Sequence, residues 1–229
     1  MLYHRPGFAS HLRCATDMAS TLTPQRLISA ACEEELLKYG DSFRGAGYTK
    51  SAQEAEERYA LMLNVVREKQ ELVSVLDFGC GLAHMKDHIE RHATYRNVRY
   101  SGLDISSTYL GTAKARHPDT PFIWMDVLES DDGLPDYDYV VLNGLFNYRG
   151  PIDEQSMLRY WQQLTSVVYR HCRRGMAFNV MSKIVEWERE DLFHLSFDTM
   201  AHFVSEHLSR HFVIRHDYRL YEYTAYVYR

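Results

Sequence analysis

Cysteine is scarce and scattered in this chain of 229 residues: Cys14, Cys32, Cys80 and Cys172 form no Cys-x-x-Cys pair. That spacing supports neither a zinc knuckle nor a disulfide framework, so a reduced cytoplasmic protein without a bound metal is the expectation. Long apolar runs are missing too. Tyr139-Val140-Val141-Leu142 is typical, far short of the roughly 20 residues that a membrane-spanning helix requires. The opening Met1-Leu2-Tyr3-His4-Arg5-Pro6 lacks the apolar middle of a secretory signal. Internal repeats and low-complexity tracts are absent. Positive charge is not in excess either: the formal net charge is −5, which argues against a general electrostatic grip on nucleic acid.

What the chain has in quantity is core-forming material. Hydrophobic residues make up 45% of it, enough to exclude wholesale disorder and to support one domain, or one domain with a small appendage. The first 72 residues read as helical. Thr23-Pro24 opens a helix through residue 39, with Gly40 as terminator, and Ser51-Ala52-Gln53-Glu54 reads as a capping box for a second. Tyr59, Met62, Leu63 and Val66 then recur at helical spacing and define one buried face. Between the helices lies a loop punctuated by Gly40, Gly45 and Gly47, with Arg44 and Tyr48 among them.

From residue 73 the rhythm becomes alternating strands and helices. Strands are expected over 73–78, 98–103, 122–125, 137–142 and 175–181, and helices over 83–91, 107–116, 154–169 and 199–209. Two closing strands, 212–214 and 220–228, are close enough to pair as a hairpin. This pattern implies β-α-β units. The expected fold is α/β: a doubly wound, mostly parallel seven-stranded sheet with a C-terminal antiparallel hairpin and an N-terminal helical cap. The expected boundaries are a cap or lid over 1–72 and a ligand-binding domain over 73–229.

Sheets of this kind bind ligands beyond the carboxyl ends of their strands. The first strand runs into Leu76-Asp77-Phe78-Gly79-Cys80-Gly81, where glycine permits a sharp turn and a close ligand approach. The second ends in Gly102-Leu103-Asp104, a carboxylate well placed for a ribose diol. The third ends in Met125-Asp126-Val127, and the fourth in Asn143-Gly144-Leu145-Phe146-Asn147-Tyr148. This ordered series resembles the class I S-adenosylmethionine-dependent methyltransferases over residues 73–229, with Ala83 standing where a third glycine is common. A nicotinamide dehydrogenase is disfavoured, because His84 occupies the position where the third glycine of its fingerprint allows close helix packing.

The resemblance implies S-adenosyl-L-methionine as cofactor. Asp77 and the backbone of Gly79, Cys80 and Gly81 would hold its methionine part, and Asp104, with Ile105 beside it, the ribose. Asp126 and Val127 would contact the adenine, and Asn143 would lie beside the sulfonium. Asn147 and Tyr148 would orient the acceptor. His84, where the glycine loop becomes a helix, is a candidate base or cofactor contact. Arg44 could pair with the cofactor carboxylate through fork geometry, with Tyr48 in the same lid-like loop.

Histidines 84, 88 and 92 repeat every four residues, a spacing that can share a metal. No third ligand is evident, and Met85, Ile89 and Ala93 supply that helix with an ordinary core face. His194 and Trp187 fall in a charged connection, 186–195, that either covers the acceptor or faces water. Tyr218, Tyr221, Tyr223, Tyr226 and Tyr228 read as a packed aromatic ladder. No Asn-Pro-Pro-Tyr follows the fourth strand, and no Pro-Cys or Thr-Cys, so acceptors of the amide, adenine and cytosine types are excluded. The expected activity is methyl transfer to oxygen or nitrogen of a small molecule such as a sugar or an amino-acid-derived intermediate. The alternatives are an RNA methyltransferase and a non-catalytic binding protein of the same fold.

Overall fold

A computed structural model describes residues 22–47 and 51–229. Helix α1 (Pro24–Tyr39) has proline in its first turn and ends at Gly40, whose amide donates to the Leu36 carbonyl at 2.8 Å. Helix α2 (Ala52–Leu63) starts at Ser51, whose hydroxyl accepts the Glu54 amide at 3.2 Å, one arm of the expected capping box.

Then follow β1 (Val73–Phe78), α3 (His84–Arg91), β2 (Val98–Asp104), α4 (Ser107–Arg116), β3 (Phe122–Trp124) and β4 (Tyr137–Leu142). The chain continues with α5 (Glu154–Arg170), β5 (Cys172–Ser182), β6 (His194–Leu195), α6 (Phe197–His207), β7 (Phe212–Arg215) and β8 (Glu222–Tyr228). The sheet has eight strands, seven of them in the order β3-β2-β1-β4-β5-β8-β7. Its pairs are parallel except that β8 runs antiparallel to both β5 and β7. Strand order reverses between β1 and β4, and this is where such sheets open a crevice.

Alternation along each strand divides the core in two. Leu76, Phe78, Val140, Leu142, Met176 and Phe178 face α5 and α6, where Trp161 is fully buried. Val73, Val75, Tyr139, Val141 and Ala177 face α2 and α3. The tyrosines of the last strand follow the same rule. Tyr223 is buried edge-on to Phe197 on the first face, while Tyr226 lies on the second and donates to the Leu61 carbonyl at 2.7 Å. Among the described residues, no helix is long and apolar enough to cross a membrane.

The eighth strand, β6, lies inside the segment read from sequence as a charged connection. Its register pairs Met181 with His194 and Ser182 with Leu195. Phe193, His194 and Leu195 are all buried, and two residues are too few to display a strand period. Strand β5 also starts three residues earlier than the pattern suggests, at Cys172. Arg173 and Arg174 interrupt the apolar run there, and Arg174 is accommodated by an ion pair with Glu71 at 2.9 Å.

The same period of two redirects one predicted ligand contact. Asp77 has the parity of Val73 and Val75, so its side chain goes to the α2–α3 face, where it accepts the Tyr100 hydroxyl at 2.8 Å. It is only 3% exposed, and burial pushes its carboxyl up to about 7. An unfolded aspartate titrates near ~3.9. Between those values the folded chain holds a proton that the unfolded chain has released, so this group's contribution to stability falls as pH rises. Asp77→Asn keeps an acceptor for Tyr100 without the charge. In urea melts it is expected to match wild type near pH 4 and to gain stability progressively toward pH 8; parallel curves would contradict the assignment.

Candidate functional site

The crevice is organised around one carboxylate. Asp104, at the end of β2, accepts the Gly81 amide at 2.8 Å on one oxygen and the Ser106 amide at 2.8 Å on the other. It is 8% exposed, and burial raises its carboxyl above the usual range. The two amides leave a lone pair on each oxygen for a further donor. Gly79 and Gly81 have φ of +74° and +51°, the left-handed region that the turn requires. Ala83 shares that conformation, with φ +57°, so the position where the resemblance has a third glycine keeps the glycine backbone at a strain of about 1 kcal/mol.

A cavity of about 720 Å³ opens over these strand ends, within the usual range of small-molecule sites. Gly79, Gly81, Asp104, Ile105, Asp126, Val127, Asn143, Asn147 and Tyr148 all line it. Four other candidates from the sequence do not line it. Asp77 points away, as described; Cys80, expected to act through its backbone, turns its sulfur toward Gly102, within 2.8 Å of where a Cβ there would lie. His84 faces a separate groove and pairs with Asp41 at 3.0 Å. Arg44 stacks on Tyr39, 4.0 Å from the ring centroid, and donates to its hydroxyl at 3.0 Å. Tyr48 lies outside the described residues. Of the three repeated histidines, His84 lies apart, while His88 and His92 come together beside Glu56 with ring centroids 4.3 Å apart: His88 is buried with Nδ1 2.5 Å from Glu56, and His92 bonds the His88 carbonyl.

Helix α1 lies across the cavity. Its Gln25 amide reaches the Asp126 carboxylate at 3.2 Å, and Glu33 contacts the Ser106 hydroxyl. Tyr109 secures it: the hydroxyl lies 2.8 Å from the Cys32 carbonyl and 2.7 Å from that of Gly45, while its ring packs with Leu36 and Leu82. Sequence reasoning missed Tyr109, because a tyrosine on an amphipathic helix reads as core.

At the other end, Glu222 is 1% exposed and gathers three donors. Arg58 Nε and Asn179 Nδ2 reach one oxygen at 2.9 and 2.8 Å, and Asn147 Nδ2 reaches the other at 2.8 Å. Asn179 Oδ1 accepts the Gly144 amide at 2.7 Å, which fixes that amide's orientation. Asn147 Oδ1 is buried with no protein partner among the described residues. His194 donates Nδ1–H to the Ser182 carbonyl at 2.6 Å, so Nε2 is an acceptor, facing the Arg189 amide at 3.3 Å. Trp187 and Tyr221 line this end as well. Arg58 and Glu222 carried no motif; only β8 folding back beside β5 brings residues 164 positions apart together.

A family model described as a methyltransferase domain matches residues 76–176. A Mycobacterium tuberculosis protein provisionally named a methyltransferase is 24% identical over 159 residues, 67% of this chain and 92% of its own. Magnesium protoporphyrin IX methyltransferase from Synechocystis, solved with S-adenosylmethionine, superposes with a TM-score of 0.62 at 14% identity, over 91% of this chain and 98% of that one. Human N-acetylserotonin methyltransferase superposes with a TM-score of 0.54 at 14% identity, over 77% of this chain and 54% of its own. The structural likenesses concern the fold. The matched methyltransferase-domain model spans the strand-end motifs from β1 into β5.

Within the glycine turn, Gly79 is the position with no room for a side chain. A Cβ on Gly79 would lie 2.1 Å from Leu145 Cδ1. Gly79→Ala is expected to lower stability by about 1–3 kcal/mol through strain and overpacking, read as a lower urea midpoint at unchanged slope. An unchanged midpoint would contradict the turn geometry.

Proposed function

We propose that this chain is a class I S-adenosylmethionine-dependent methyltransferase, which binds its cofactor across the ends of β1, β2 and β4 and transfers the methyl group to a small-molecule acceptor held beside Asn147, Tyr148 and His194. The observation that carries this reading is the Asp104 carboxylate, buried on the cavity wall with both oxygens oriented by backbone amides. Asp104 would receive the two ribose hydroxyls, Asp126 and the Val127 backbone the adenine, and the open turn at Gly79–Gly81 the amino-acid tail. Bound there, S-adenosylmethionine supplies a methyl group already activated by the sulfonium. What remains for the chain is to align the acceptor, exclude water and accept a proton.

The acceptor end suits that task. Tyr148, Trp187 and Tyr221 give it aromatic walls. Asn147 and His194 line the same end of the cavity and give it polar side chains beside the aromatic walls, which fits a hydroxyl or amine as the methylated group. The wall carries seven carboxylates (Glu34, Glu35, Asp104, Asp126, Glu186, Asp191, Glu222) against two arginines. Both arginines are paired with acids, Arg58 with Glu222 at 2.9 Å and Arg189 with Asp191 at 2.5 Å. Such a lining repels a phosphate backbone, which supports a small acceptor over RNA. Residues 1–72 would act as the cap, with α1 closing over the nucleoside and excluding water.

Calorimetry with S-adenosylhomocysteine tests the cofactor site. Asp104→Ala removes charge-assisted bonds of about 1.5–3 kcal/mol each, so its affinity is expected to fall by at least about 30-fold, or about 2 kcal/mol. Equal affinity in the two proteins would refute the ribose contact. The cap reading makes a separate demand on kinetics. Tyr109→Phe frees α1 and the Gly45 loop from their tether, so in stopped-flow traces the ligand is expected to leave several-fold faster; an unaltered off-rate would remove the lid role.

A further inference from the structure

We propose that Glu56, His88 and His92 form a zinc site that fastens helix α2 to helix α3, away from the cavity over the strand ends. Two of the ligands belong to one helix: His88 is in α3 and His92 caps its C-terminus, a separation that puts both imidazoles on the same side. Folding supplies the third. Glu56 stands on α2, 32 positions before His88, where no motif near the histidines announces it. One ligand atom from each of the three side chains lies within 4.8 Å of the other two. Zinc holds nitrogen and carboxylate oxygen at about 2.0–2.2 Å, so atoms this close reach a common centre through side-chain shifts of about 1 Å. None of the three residues lines the larger cavity.

Each side chain is prepared for the role. His88 is buried, with the rings of Tyr59, His92 and Tyr95 at centroid distances of 5.8, 4.3 and 5.4 Å. Its Nδ1 lies 2.5 Å from Glu56 Oε2, and its Nε2 has no hydrogen-bond partner among the described residues. A buried polar atom left so is rare, and a bound ion is one of the groups that account for it. No hydrogen bond ties the ring on that side, so either nitrogen can be presented to the metal. His92 Nδ1 donates to the His88 carbonyl at 2.7 Å, which leaves its Nε2 as the bare acceptor that coordination requires. Glu56 divides its oxygens, Oε2 toward His88 and Oε1 to Arg91 at 2.5 Å. Oε2 can therefore take the ion while the arginine holds the carboxylate in place.

Glu56 also lines the separate groove of about 480 Å³, which gives the ion a path from solvent. Two imidazoles and one carboxylate, with water in the fourth position, suit zinc rather than magnesium or calcium, which take oxygen ligands. A second cluster, Asp87, Glu90 and His117, offers a single imidazole, and its Asp87 is already paired with Arg116 and His117. It serves as the control.

Calorimetry with zinc chloride on the metal-free full chain tests the site. Wild type is expected to take up one ion per chain, and His92→Gln and Glu56→Gln each to weaken that uptake by at least about tenfold. His117→Gln is expected to bind as wild type does. Zinc is also expected to raise the urea midpoint of wild type and to leave that of His92→Gln unmoved, as a ligand bound only to the folded chain must. His92 is exposed, so its variant keeps the fold and decides alone if Glu56→Gln does not fold. No uptake by wild type, uptake unchanged in His92→Gln, or equal weakening in His117→Gln would overturn the site. The same midpoint shift in wild type and His92→Gln would overturn the fastening of α2 to α3.

Discussion

Two backbone amides on one buried carboxylate hold the crevice together. The Gly81 amide comes from the turn after β1, the Ser106 amide from the residue that caps α4, and both end on Asp104 at the tip of β2. The glycine turn and the start of α4 are thereby locked to neighbouring strand ends. Because carboxylate oxygens accept more than one hydrogen bond, the brace and a ribose contact can coexist on the same side chain. The left-handed conformations of Gly79, Gly81 and Ala83 follow from this constraint: the chain must reverse within a few residues to bring the Gly81 amide back onto β2.

The cavity has two ends built from different elements. The end at Asp104 and Asp126 is overlaid by α1, whose Gln25 and Glu33 reach Asp126 and Ser106, with Tyr109 fastening the helix. The other end is built from loops after β4 and β5 and from the first residue of β8, joined through Glu222. A sheet that closes with an antiparallel strand therefore does more than finish the fold. Insertion of β8 between β5 and β7 delivers a carboxylate to the crevice from the far end of the sequence.

Much of this was legible in the sequence because local patterns report local structure. The strand-helix rhythm, Pro24 and Gly40 around α1, the Ser51 cap and the three acidic strand ends are set within a few residues, and each appears in the fold. Asp104, Ile105, Asp126, Val127, Asn143, Asn147 and Tyr148 reach one cavity because they follow strands whose ends must lie together. What was not legible depends on direction or distance. Asp77 lies in the expected stretch, but strand parity turns its side chain elsewhere. Arg44 and His84 found partners in Tyr39 and Asp41 that no motif announces. Arg58, Glu222 and His194 become neighbours of the site only through long-range pairing.

The central claim is that a nucleoside thioether lies across these strand ends with its ribose on Asp104. A crystal structure grown with saturating S-adenosylhomocysteine tests it most directly. The account requires both ribose hydroxyls within about 2.5–3.0 Å of the Asp104 carboxylate and the adenine beside Asp126 and Val127. Nucleoside density elsewhere on the chain, or a cavity empty at saturation, would contradict it.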